Sequence, residues 1–164
     1  MSTEVPGDER RTLLAFIESQ RTALREAAQG LTEEQAASRP SASELSVSGL
    51  LKHAAICELG WLRMAQGETE RPEGDWADGF RLVGDETITS VLALWDEVRQ
   101  ETEAFILAVP SLDDSFPLPP APWFPQDTKV SMRWMLLHLV EEFARHAGHA
   151  DIVRETIDGT RAMG

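Results

Sequence analysis

The sequence predicts an all-α domain: a four-helix bundle with one short additional helix and long connecting loops, residues 1–164 forming one unit. Three observations predict it. Apolar residues recur at helical spacing in four long segments. No stretch alternates with a period of two over a convincing length. Prolines stand between the periodic segments rather than inside them.

The first segment is marked by Leu13, Leu14, Ile17, Leu24 and Ala27, and it ends near Gly30. In "LTEEQAASRP", Thr32 is placed as an N-cap with Gln35 closing a capping box, which predicts one short helix before Pro40. The second long helix follows the serines of "SASELSVS" and runs through "GLLKHAAICELGWLRMAQ" to Gly67. Residues 68–84 mix Gly, Pro and charge and read as a connection. Ile88, Val91, Leu92, Trp95, Val98, Thr102, Phe105, Ile106 and Val109 form the third helical stripe, stopped by Pro110. The prolines of "SLDDSFPLPPAPWFPQDTK" remove donors and fix φ, so this stretch is not helical. Ser131 caps the last helix, which ends at Gly159.

Composition narrows the function. Hydrophobic residues make up 42% of the chain and charged residues 26%, the mix of a soluble globular domain. Fifteen Lys and Arg against 28 Asp and Glu give a formal net charge of −13, which repels a phosphate backbone and an anionic membrane surface alike. Nucleic acid and membrane are therefore not expected as partners. The N-terminus, "MSTEVPGDERR", lacks the apolar core of a secretion signal, and Cys57 is the single cysteine. Both suit a cytoplasmic protein.

Chemistry concentrates in "HLVEEFARHAGHAD", residues 138–151. With each helical residue advancing 100°, and Glu142 taken as zero, His138 lies near about −40°, His146 near about +40° and His149 near about −20°. All four share a face that borders the apolar stripe of Leu139, Phe143, Ala147 and Ala150. A metal needs donors from more than one direction, and His53 of "GLLKHAAICELGW" supplies the second. His53, Glu142 and His146 together make two imidazoles and one carboxylate, a set that binds a divalent ion and leaves a position open. The plainer alternative is a core histidine facing a helix with one polar side. Cys57 lies one turn after His53 and is a conceivable thiolate ligand, but a buried cysteine is the more ordinary reading. Glu58 points away from His53 and reads as solvated or ion-paired. Arg145 reads as a surface ion pair. Trp61, Trp95 and Trp134 are assigned to the core, and Trp123 and Phe124 to the wall of a pocket beneath the proline-rich loop.

"LLKHAAICELGW" and "LLHLVEEFARHAGHADIVRETIDG" resemble the DinB-like superfamily of four-helix bundles, which includes the mycothiol-dependent maleylpyruvate isomerases. The similarity covers nearly the whole chain, including "LTEEQ" and "SMRWML", and "RHAGHADIVRETIDG" is its most specific part. The resemblance implies a divalent metal, zinc or nickel, held by a His on the second long helix and an H-x3-H pair on the last. His53 falls on the first ligand and His146 on the last. Glu142 falls on the middle one, where many members carry His; this departure resembles the His…Glu-x3-His version of the mycothiol-dependent isomerase. His149 falls where many members have Gln.

What the resemblance implies for activity is a metal-dependent S-transferase or isomerase, with a small thiol such as mycothiol or bacillithiol activated against a small-molecule electrophile. His149 and His138 are then candidates for proton transfer, since imidazole titrates near working pH. A metal-assisted hydrolase needs only the same ligands, and a non-catalytic metal-binding or dimerising bundle remains a third possibility. A homodimer is expected, as bundles of this kind pair through helix faces.

Overall fold

A computed structural model describes residues 7–68, 76–121 and 124–162. The chain folds into α1 (Glu9–Ala28), α2 (Glu33–Ala37), α3 (Val47–Ala65), a 3-10 turn (Trp76–Phe80), α4 (Ile88–Ala108), strands β1 (Ser115–Pro117) and β2 (Lys129–Ser131), and α5 (Met132–Asp158). The all-α, DinB-like bundle expected from the sequence is what the chain adopts.

The helix boundaries follow side-chain chemistry. Thr32 accepts from the Gln35 backbone while the Gln35 side chain accepts from the Thr32 backbone, completing the capping box of α2. Ser46, Thr87 and Ser131 cap α3, α4 and α5 in the same way, each accepting a backbone N–H three residues on. Gly159 ends α5 with φ +77°, a left-handed conformation that costs glycine little.

α1 packs chiefly against α5, while α3 packs against both α4 and α5. Ile17, Leu24, Leu50, Leu51, Trp95, Ile106, Leu136, Leu139 and Phe143 fill the space between them, fully or almost fully buried. Fully burying side chains of this size contributes about 1.5–3 kcal/mol each. α3 is covered on more than one side. Its Glu58, read from the sequence as solvated or ion-paired, is completely buried and ion-paired. It accepts from Arg21 Nε at 3.0 Å and from Trp95 Nε1 at 2.8 Å, and also pairs with Arg21 Nη2. These donors make burial of the carboxylate tolerable.

The described parts of the long connections are more structured than their composition suggests. Between α4 and α5, β1 and β2 form an antiparallel pair with Phe116 opposite Val130, both buried. Phe124 packs against the core. Trp123, assigned with it to a pocket wall, lies outside the described residues.

The connection between α3 and α4 is fastened along one face of α3. A Cβ built on Gly49 would collide with the carbonyl oxygen of Phe80 and stand 2.8 Å from its carbonyl carbon. Lys52 Nζ donates to the Arg81 carbonyl at 3.0 Å and to Glu86 at 2.6 Å. The phenyl ring of Phe80 stacks on His53 at 4.0 Å between centroids. Positions 49, 52 and 53 share a helix face, so one stripe of α3 both holds this segment and presents the first candidate ligand.

Candidate metal centre

His53 reaches the site from α3, and Glu142 and His146 reach it from α5. His53 Nε2 lies 3.8 Å from Glu142 Oε2, and His146 Nε2 lies 3.5 Å from the same oxygen. The two imidazoles meet edge to face with centroids 4.7 Å apart. His53 and Glu142 side chains are 16% and 18% exposed, and that of His146 is 11%, so the group is shielded but not sealed.

Two features fix the rings. Phe80 lies almost parallel to the His53 ring, at 14°, and sets its plane. Behind His146, its Nδ1 lies 3.4 Å from Nδ1 of His149. If His146 Nδ1 carries the hydrogen and donates it to His149, His146 Nε2 presents its lone pair toward Glu142.

Electrostatics favour neutral imidazoles. Burial, reinforced by the neighbouring His146, pushes the His53 pKa down to about 4 despite the opposing Glu142 carboxylate. Burial also lowers the pKa of His146. Neutral nitrogen is the form that binds a metal.

A zinc-sized ion with nitrogen and oxygen donors at about 2.0–2.1 Å places neighbouring tetrahedral donors about 3.3–3.4 Å apart. The two distances to Glu142 Oε2 exceed that by only a few tenths of an ångström, so each imidazole stands near coordinating distance of that carboxylate, whereas the group whose donor atoms all lie within 4.8 Å of one another is His53, Cys57 and Glu142, without His146. Neutral imidazoles beside a carboxylate are also the donor chemistry such an ion prefers.

Cys57 belongs to the same neighbourhood. Its Sγ and donor atoms of His53 and Glu142 all lie within 4.8 Å of one another. Burial first, then the Glu142 and Glu58 carboxylates, push its thiol pKa up to about 12, and a hydrogen bond from Trp61 opposes them. The sequence hint was there, since Cys57 stands one turn after His53.

His138 occupies a separate position. Its ring stacks on Trp134 at 5.0 Å and meets Trp61 edge-on at 4.8 Å. Burial lowers its pKa. Trp61 and Trp95 are core residues as expected, but Trp134 is 38% exposed and caps His138 instead of filling the core. Trp134 lies in the first turn of α5. Arg145 pairs with Glu141 at 2.9 Å on the surface, with a longer contact of 3.8 Å to Glu142.

A helical bundle in which imidazoles from α3 and α5 each approach one carboxylate of α5 is of the DinB-like class. The model of the mycothiol-S-transferase family matches residues 12–159, and the chain belongs to that family. The fold is similar to a crystal structure of a conserved protein from Enterococcus faecalis, with a TM-score of 0.70 at 15% identity, covering 93% of this chain and 99% of that one. No curated protein matches the chain in sequence. Among the described residues, no helix is long and apolar enough to cross a membrane.

Proposed function

We propose that the protein is a metal-dependent thiol S-transferase, with His53, Glu142 and His146 holding a divalent ion, zinc or nickel. The observation that carries this reading is the approach of two imidazole nitrogens, from different helices, to a single carboxylate oxygen at 3.8 and 3.5 Å. Membership of the mycothiol-S-transferase family supports a small thiol as one substrate and a small electrophile as the other.

The ion supplies a Lewis acid that favours a thiolate over a thiol near neutral pH. The chain's own residues supply the rest. Phe80 stacks on the His53 ring, and donation from His146 Nδ1 to His149 would leave His146 Nε2 free for the ion. In the transfer, the thiol loses its proton, its sulfur forms a bond to the electrophilic carbon, and the leaving group departs with the bonding pair. His149 is a candidate to take that proton, at Nδ1 once that nitrogen is released from the His146 contact. His138, between Trp61 and Trp134, is the second candidate for proton transfer and offers a flat surface for part of a substrate.

Metal content and thiol conjugation test the reading together. Purified protein is expected to bind one zinc or nickel ion per chain and to couple mycothiol to an activated alkyl halide. His146→Ala is expected to lose both. A protein that binds no ion, or that conjugates equally well after chelation, overturns the proposal.

A further inference from the structure

The three residues proposed as ligands supply three donors, and a tetrahedral ion accepts a fourth. The geometry points to Cys57 as that fourth ligand: its sulfur takes the coordination position that an incoming small thiol would otherwise occupy. This inference rests on the metal centre proposed above and adds a residue to it.

Placement carries the argument. Cys57 follows His53 by four residues on α3, so the two side chains stand one above the other on the same helix face. Its sulfur lies within 4.8 Å of donor atoms on both His53 and Glu142, across the α3–α5 interface. Sulfur at about 2.3 Å and nitrogen at about 2.0–2.1 Å from one zinc ion stand about 3.6 Å apart. The separations from His53 and Glu142 are therefore at most about 1.2 Å too long, within reach of a modest side-chain rotation, and His146 joins the set through its 3.5 Å approach to Glu142. Cys57 is only half-buried, which leaves room for that rotation. On binding, the thiol proton passes to solvent and the sulfur coordinates as thiolate.

Two consequences follow. Two imidazoles, a carboxylate and a thiolate form a closed four-donor set, and the soft sulfur steers selection toward zinc and away from magnesium, calcium or manganese. The resting centre is then self-occupied, so a small thiol competes with Cys57 for one place.

Cobalt(II) is a suitable probe, and because Cys57 is the only cysteine, any protein-derived sulfur-to-cobalt charge-transfer band has one source. The full chain, titrated with cobalt in the absence of added thiol, is expected to develop both the visible bands of four-coordinate cobalt and a near-ultraviolet sulfur band. Cys57→Ser is expected to keep the visible bands and lose the near-ultraviolet one, which returns on adding N-acetylcysteine. Visible bands without a sulfur band in the unaltered protein would overturn the role of Cys57 and leave the metal centre standing. Cobalt uptake no greater than in His53→Ala would overturn both. The spectrum of the unaltered protein decides the matter even if Cys57→Ser does not fold.

Discussion

Gly49 and Phe80 touch backbone to backbone, closely enough that no side chain fits between them. One turn further along α3, the Phe80 ring lies flat on His53. The contact at Gly49 thus sets the height of the ring that orients a candidate ligand. Gly49→Ala is expected to destabilise the fold by about 1–3 kcal/mol, the usual cost of overpacking. It should also weaken metal binding more than Gly60→Ala, since a Cβ at Gly60 meets open space. Urea denaturation and calorimetric metal titration of the two variants check this.

The contact between His146 and His149 makes a graded prediction. His149→Leu removes the partner of His146 Nδ1 and is expected to weaken metal affinity about 10–100-fold. His149→Gln keeps an oxygen acceptor and should retain most of it. Competition against a chromophoric chelator measures both, and equal losses would exclude the hydrogen-bonding role.

Glu58 offers a test away from the metal. Glu58→Gln leaves the buried Arg21 guanidinium with only the half-exposed Glu18 as counter-charge and is expected to cost about 2–4 kcal/mol. Replacing both residues with apolar ones should recover most of that loss. Urea melts followed by far-ultraviolet circular dichroism measure both changes.

Acid should unfold the metal-free protein through its histidines. The folded pKa of His53, about 4, lies below the ordinary 6.5. Between these values the unfolded chain binds more protons than the folded one, so stability falls as pH falls through that window and levels off below about 4. The pKa of His146 is shifted in the same direction. Chemical denaturation from pH 7 to pH 4 is expected to show a shallower decline in His53→Gln.

Much of the fold was legible because caps and breakers act locally. Thr32 with Gln35, Ser131 and Gly159 each announce a helix end through their own side chain or backbone freedom. Glu58 was legible only in part, because α3 is buried against several neighbours and a helical period cannot say which polar position finds a partner. The β1–β2 pair escaped notice since strands of three residues, one of them Pro117, are too short to show alternation. The stacking of Phe80 on His53 was likewise hidden, because it depends on a close approach at Gly49 that no pattern encodes. At the site, spacing brought out Glu142 and His146 together. The pairing with His53 required the assumption that α3 faces α5, which the packing bears out.

The two halves of the candidate centre lie about ninety positions apart in the chain, with His53 in α3 and Glu142 in the terminal helix. During synthesis, a ribosome that has released the first three helices has therefore made only half a nest. Under the proposed metal centre, loading with an ion would be among the last events in the protein's maturation, and a nascent chain truncated before α5 would carry one imidazole and one thiol without Glu142 or His146.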